Sequence, residues 1–303
     1  MDFFAQMAIS GIMVGAIYGL VAMAFVVVYK SSGIFNLALG ELLILGAAFC
    51  WFFIVTLELP IWLSLIMTFA CTAFLGILIE RLFIRPLIGQ PLFSVIMMTL
   101  GLALLLGGLY RIGWPSDVYS YPEIFPMEPW RFGDIIVFPQ LAYCFVIALI
   151  GITAFTLFFQ HTKQGLGMRT VAEDHQIARG LGISVKTIIG LSWAISAIVC
   201  GLGGFLLGNI NGISNGLVEI GLKCLPVVIL GGLESIPGAL IAGIIIGVAE
   251  TMSSGYLDPF ITSIAGGTAL GTGTRAIVPF AIAIIVLFFR PHGLFGLKRI
   301  ERI

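Results

Sequence analysis

Charge is what this chain has least of. Only 10% of its residues are charged against 59% hydrophobic, and the mean hydropathy is +1.13. A soluble domain carries about 25% charged residues, so a chain this poor in them cannot cover a water-facing surface. The net charge is +0 and no basic patch occurs, which excludes a nucleic-acid partner. Cysteine is also sparse. Cys50, Cys71, Cys144, Cys200 and Cys224 are odd in number, lie in or beside apolar runs and lack ligand spacing, so they read as small hydrophobes. The three histidines, His161, His175 and His292, show no metal-ligand spacing and no nucleophile–carboxylate arrangement, so neither a metal site nor a catalytic residue is expected. No lysine follows a glycine, which excludes a phosphate-binding P-loop and with it ATP hydrolysis by this chain. A basic region ahead of the first apolar run is missing too. That run follows Met1-Asp2 and reaches about Tyr29, too long for a signal-peptide core, and reads as a retained membrane helix.

What is present is a series of apolar runs. A spanning helix needs roughly 20 mostly apolar residues. Candidates lie at about Ala5–Val28, Leu37–Leu57, Ile61–Ile79, Leu92–Leu109, Leu141–Phe159, Ile188–Leu207, Leu222–Leu230, Ala239–Ala249 and Ala276–Phe289, the last three short or interrupted by Gly and Pro. The expected fold is an all-α integral membrane protein of about eight to nine transmembrane segments, broken or half helices among them. If Gln160–Lys186 is cytoplasmic, Lys30, Arg81, Arg85, Lys163, Arg169, Arg179, Lys186, Arg290, Lys298, Arg299 and Arg302 fall inside. Arg111, Arg131, Lys223 and Arg275 remain outside or at depth. This bias places the amino terminus outside and the carboxy terminus inside. The connection from Gly113 to Gln140 is then external. It carries Trp114, Tyr119, Tyr121 and Trp130 with Asp117, Glu123, Glu128 and Asp134, and reads either as an interfacial loop or as a docking surface.

Three stretches carry mechanism. The polar string Tyr29–Glu41 is wedged between two apolar runs, and Asn36 and Glu41 leave no room for a solvated loop before Leu42. A carboxylate and an amide at such depth are expensive unless they face a cavity or a partner. This points to a pathway; Glu41 as a structural acceptor at a helix break is the other reading. Ile188–Leu207 is likewise followed by a break containing Asn209 and Asn211 and then by Val227–Gly231, so the halves resemble an inverted repeat with the binding region at the two breaks. The segment Gln160–Ile183 is the longest polar stretch on the inner face. It predicts a short helix from about Met168 to Arg179, stopped by Gly180 and Gly182, with Val171, Ala178 and Leu181 as an apolar stripe. Such a helix fits another protein's groove or lies on the bilayer surface. Gly243 and Gly247 form a small-xxx-small pair for close helix packing, and Gly231–Gly238 reads as a helix break.

Gly19-Leu20, Tyr29, Gly33 and Asn36-Leu37-Ala38-Leu39-Gly40-Glu41 resemble the Asn-Phe-Ala-His-Gly-Glu signature of LivH-type permeases of bacterial ABC importers for branched-chain amino acids and related small solutes. Gly165, Arg169, Ala172-Glu173-Asp174, Ala178 and Leu181-Gly182-Ile183 resemble that family's coupling segment. Leu230–Gly238 is similar to its Leu-Gly-Gly-x-x-Ser-Ile-Pro-Gly element, and Arg290–Gly296 to its terminal Pro-x-Gly-x-x-Gly. Two positions depart from the signature: Leu39 stands where the family has His and Leu37 where it has Phe, which leaves aromatic acids, urea and amides open as solutes beside branched-chain amino acids.

The resemblance implies one permease domain over residues 1–303, with 160–186 as a cytoplasmic coupling segment, in a bacterial inner membrane. It implies a second permease subunit, identical or paralogous, two cytoplasmic ATPase subunits, and a periplasmic solute-binding protein that delivers a small-molecule solute. Cofactors are expected on the partners only: ATP and Mg²⁺ on the ATPases. Asn36, Gly40, Glu41, Asn209 and Asn211 are the expected pathway residues, and Gly165, Arg169, Glu173, Asp174 and Gly182 the expected coupling residues. The rival reading is a secondary carrier with Glu41 binding a proton or Na⁺, which leaves the polar inner segment without a use. A channel is disfavoured because no ring of like charges is visible.

Overall fold

The computed structural model describes residues 2–115, 118–126, 128–132, 135–264 and 273–296. Asp117, Asp134, Lys298, Arg299 and Arg302 lie outside the described residues. Apart from a short hairpin of β1 (Trp130–Phe132) and β2 (Ile135–Val137), the described elements are helical: α1 (Asp2–Ser32), α2 (Leu39–Trp51), α3 (Ile61–Ile79), α4 (Leu92–Gly113), α5 (Pro139–His161), α6 (Lys163–Glu173), α7 (His175–Gly180), α8 (Val185–Asn211), α9 (Gly216–Gly231), α10 (Ile236–Met252), α11 (Asp258–Ile264) and α12 (Thr274–Phe289). Among the described residues, seven helical stretches are long and apolar enough to cross a membrane. α9 and α12 add two apolar helices of 16 residues each, about 24 Å long against the roughly 30 Å of a bilayer core. The all-α membrane architecture is as expected.

Three boundaries differ from expectation. α2 begins at Leu39, not Leu37, because Asn36 Oδ1 accepts the Ala38 N–H at 3.1 Å and holds the chain in a turn until then. The span expected to be short at Ala239–Ala249 is continuous from Ile236 to Ser263, with a π-helical stretch joining α10 to α11. Its glycines lie inside the helix and serve packing instead of interrupting it. The polar segment Gln160–Ile183 holds two helices rather than one, broken at Asp174, whose carboxylate caps α7 by accepting from Gln176 N and Ile177 N.

The contacts divide the chain into two units. In the unit of Met23–Pro122 and Ile150–Leu222, α8 packs along α2 and α3. The approach is backbone to backbone. A Cβ at Gly204 would sit 2.1 Å from Leu43 O, one at Gly46 2.5 Å from Gly201 Cα, and one at Gly76 2.5 Å from Trp193 O. Thr68 and Thr72 on α3 are buried, and their hydroxyls return to the carbonyls four residues back, at 2.7 and 2.9 Å. Each polar side chain is thereby neutralised within its own helix.

In the unit of Met1–Ala22, Glu123–Leu149 and Lys223–Ile303, the first part of α1 crosses α10 at Gly11, Gly15 and Gly19 against Gly243 and Gly247. The small-xxx-small pair read in the sequence thus meets a second such row. α9 ends at Gly231, and Gly232 takes a left-handed φ of 98°. The closing carbonyls of α9 would be orphaned; Leu294 N donates to Leu230 O at 2.8 Å and Phe295 N to Gly231 O at 3.2 Å. That gives the glycine-rich tail motif its job. α10 then starts with Ser235 accepting from Gly238 N at 3.1 Å.

A Cβ at Gly247 would lie 2.4 Å from Gly15 Cα, whereas one at Gly101 meets nothing within 4 Å. Gly247→Leu is expected to destabilise the protein by about 1–3 kcal/mol, read as a lowered thermal midpoint in detergent, while Gly101→Leu leaves it unchanged. Equal midpoints for the two variants would remove the crossing.

Candidate functional site

The polar string becomes a climb along α4. α1 closes with Ser31 and Ser32 hydroxyls donating back to Val27 O and Val28 O, and Gly33 turns the chain with φ 67°. Lys30 sits over the Phe159 ring at the end of α5, 5.4 Å from its centroid. Phe35 then packs edge-on against Phe25, with centroids 4.7 Å apart, and its carbonyl accepts from Thr99 Oγ1 at 3.1 Å. Thr99 is about 10 Å along α4 from its start. Asn36 is 1% exposed; Oδ1 is used in the turn, and among the described residues Nδ2 has no partner.

Glu41 follows in the first turn of α2, where a helix N-terminus favours negative charge. Its Oε1 faces Gly107 of α4, 3.4 Å from where a Cβ would stand, about 22 Å from the start of that helix. Arg111, one turn on, is the cation whose charge reaches it. Oε2 is buried and, among the described residues, has no partner. A half-buried carboxylate with an oxygen that meets no partner among the described residues keeps Glu41 a candidate pathway group.

The other expected pathway residues are placed differently. Gly40 is buried where α2 crosses α9: Cβ atoms would meet Val218 O at 2.7 Å from Gly40 and Gly40 Cα at 2.3 Å from Gly221. It sets how closely the helices after the two breaks approach. Asn209 and Asn211 belong to the last turn of α8, and the break itself is 212–215. Asn209 is half-buried and donates to Phe205 O at 2.9 Å; Asn211 is exposed.

The aromatic connection after α4 is clamped onto this unit. Tyr119 and Ile213 exchange backbone bonds of 2.9 and 2.7 Å, Trp51 Nε1 donates to Ser120 O at 3.0 Å, and Tyr121 OH donates to Ala47 O at 2.7 Å. Burial holds the Tyr121 phenol well above its ordinary range, so it stays a donor. Beside the clamp, Phe49, Trp51, Phe53, Cys71, Trp114 and Tyr119 line a cavity of about 640 Å³, the size of a small-molecule site. It has no charged lining and suits an apolar side chain.

The segment 160–183 folds as a helical hairpin of α6 and α7. A Cβ at Gly165 would stand 2.3 Å from Phe159 O, and Gly167 abuts Ile188 of α8. Arg169 turns inward: Nη2 donates to Gln160 O at 3.1 Å and the guanidinium lies 5.9 Å from the Phe159 centroid. Asp174 caps α7, and Gly182 turns the chain with φ 79°. Of the five expected coupling residues, four therefore build the shape, and Glu173 stands on the surface without such a bond among the described residues. The apolar stripe is corrected as well. Val171 and Ala178 are buried, while Leu166, Ile177 and Leu181 project with more than half of their surface exposed.

Sequence reasoning missed one cluster. Glu250 of α10 is 0% exposed, and its Oε1 accepts from Lys223 Nζ at 2.7 Å and from Arg275 Nε at 3.0 Å. The signal was there: one acid inside an apolar run, and two basic residues that the topology left outside or at depth.

A family profile described as branched-chain amino acid transport system / permease component matches residues 7–287. The high-affinity branched-chain amino acid permease protein LivH of Escherichia coli K12 is 27% identical over 317 residues, covering 99% of this chain and 98% of that one. BraD of Pseudomonas aeruginosa is 28% identical over 315 residues, with 99% and 98% covered. The probable LivH of Methanocaldococcus jannaschii is 28% identical over 298 residues, with 94% and 90% covered.

Glu41→Gln removes, at constant shape, a charge whose buried Oε2 has no hydrogen-bond partner among the described residues, and is expected to keep or raise the thermal midpoint. Tyr121→Phe strips Ala47 O of a donor and should cost about 1 kcal/mol. A loss for Glu41→Gln as large as that for Tyr121→Phe would make the carboxylate a structural acceptor instead.

Proposed function

The chain belongs to the family of branched-chain amino acid transport permease components, and from that premise we propose that it is the membrane pathway of an ATP-driven importer for branched-chain amino acids or a closely related small solute. In this reading it pairs with a second permease subunit, identical or paralogous, in a bacterial inner membrane. Two cytoplasmic ATPase subunits bind ATP and Mg²⁺, and a periplasmic binding protein delivers solute. The amino terminus lies outside and the carboxy terminus inside, as the lysine and arginine bias suggests.

The observation that carries the proposal is the α6–α7 hairpin. It is fastened to α5 at Phe158 and Phe159 and to α8 at Ile188, yet it presents Leu166, Ile177 and Leu181 outward. Apolar side chains on a rigid polar segment suit a partner's groove. A push on such a hairpin reaches α8 directly, and α8 is packed on α2, the helix that bears Glu41. Closure of the ATPase pair then biases inward- against outward-facing states through differential contacts. Asn36 and Glu41 serve the pathway, with Gly40 setting the helix crossing beside them and Asn209 and Asn211 at the opposite break. A self-sufficient carrier gives the hairpin no task.

The test is the purified assembly in proteoliposomes. Leu166→Asp with Ile177→Asp is expected to lower solute-stimulated ATP hydrolysis and uptake together by about tenfold or more, as loss of interface anchors does, with the permease itself folding normally. Unchanged coupling would sink the hairpin assignment. Glu41→Gln should cut uptake by about tenfold without loss of assembly.

A further inference from the structure

Lys223, Glu250 and Arg275 hold more charge than a structural ion pair needs. Glu250 is wholly buried, and both cations converge on its Oε1; among the described residues Oε2, equally buried, has no partner. The cluster carries one negative and two positive charges. Tyr18 belongs to it as well, its phenol acting on both Glu250 and Arg275. These residues come from α1, α9, α10 and the first turn of α12, all within one compact unit. Excess charge in a span is costly, and a half-satisfied polar network is worse than an apolar core. A purely structural bridge would be expected to spend both carboxylate oxygens, as Glu80 does. Its Oε1 and Oε2 accept from Arg85 Nε and Nη2 at 3.1 and 2.8 Å.

The two unmet demands at Glu250 are opposite in sign and adjacent: a bare acceptor oxygen, and a surplus cation. Exposure is graded across the three side chains, 0% at Glu250, 15% at Lys223 and 47% at Arg275, so the cationic side is the accessible one. We infer that Lys223, Glu250 and Arg275 form a binding station for a zwitterionic α-amino acid: Arg275 and Lys223 turn to its carboxylate, and Glu250 Oε2, covered until they do, takes its ammonium. A carboxylate and an ammonium on one carbon are spaced to bridge a cation and a carboxylate oxygen of the same cluster. Arg275 is suited to the role because a guanidinium meets a carboxylate with paired donors. The inference rests on the amino acid permease reading and adds to it a second polar station besides Glu41.

The test uses the purified complex without its binding protein, so that only sites on the permease report. Millimolar L-leucine is expected to raise the thermal midpoint of the unsubstituted complex by a few degrees, as a ligand that binds the folded state must. Leucinamide, which lacks the carboxylate, and 4-methylpentanoate, which lacks the ammonium, should each give a much smaller shift. Arg275→Gln should abolish the leucine shift and Arg275→Lys should restore part of it. If Arg275→Gln does not assemble, the two analogues on the unsubstituted complex decide alone. A leucine shift that persists in Arg275→Gln, an equal shift from either analogue, or no leucine shift at all overturns the station. So does a shift produced by anionic phospholipid and not by leucine, which would make the cluster a lipid headgroup site. The permease reading fails separately: in the complete system with binding protein and ATPases, it is lost if the unsubstituted assembly takes up no amino acid.

Discussion

Inside a bilayer an apolar side chain gains little by leaving lipid for another helix, so helices are held by how closely their backbones approach. The glycine crossings are the constraint on which the rest of this structure depends. Gly11, Gly15 and Gly19 against Gly243 and Gly247 fix the first part of α1 on α10; Gly46, Gly76, Gly201 and Gly204 fix α2 and α3 on α8. A methyl group at most of these positions would stand inside the contact distance of a neighbouring backbone atom. The positions of Glu41 and Glu250 follow, since one rides on α2 and the other on α10.

Close packing also makes irregular backbone tolerable. Between Ser32 and Leu39 the chain leaves the helical ladder at a depth where each unpaired backbone group is expensive. The surroundings answer those demands locally: Thr99 donates to Phe35 O, Asn36 accepts from Ala38 N, and Gly33 N returns to Tyr29 O. The break is thus stable enough to persist, and it delivers the start of α2, with its positive end and its glutamate, about 22 Å into α4. A continuous helix would have placed Glu41 elsewhere.

Much of this was legible in the residues. Apolar run length located six of the seven long spans and read the seventh, Ile236–Ser263, as a short segment because its glycines look like interruptions; the polar string flagged the break because Asn36 and Glu41 have no solvated alternative. Gly243 and Gly247 announced a crossing, though not its partner row on α1, since glycine spacing carries no address. The α6–α7 hairpin was misread as one helix because Asp174 looks like a surface acid from sequence; only the direction of its carboxylate, back onto Gln176 N and Ile177 N, turns it into a cap. Arg169, an expected coupling residue, has Nη2 on Gln160 O and its guanidinium beside the Phe159 ring, a placement that composition and spacing do not announce. The Glu250 cluster joins residues far apart in sequence, and no local pattern pairs Lys223 with an acid 27 positions later.

Glu41, Glu80 and Glu250, the glutamates inside the seven long spans, differ in what their oxygens do. Glu80 has both oxygens on Arg85 and lies against Gly190 of α8; nothing is left over for a visitor. Glu41 and Glu250 each keep one buried oxygen unspent. A saturated carboxylate is cheap to hold and inert, while an unsaturated one costs free energy in the resting state that a passing cationic group can return. For a transporter that asymmetry is useful: a station must bind well enough to be entered and loosely enough to be left. On the proposed reading, unsatisfied acceptors carried on helices packed through their glycines suit that demand, because close packing leaves the scaffold little room to satisfy them itself.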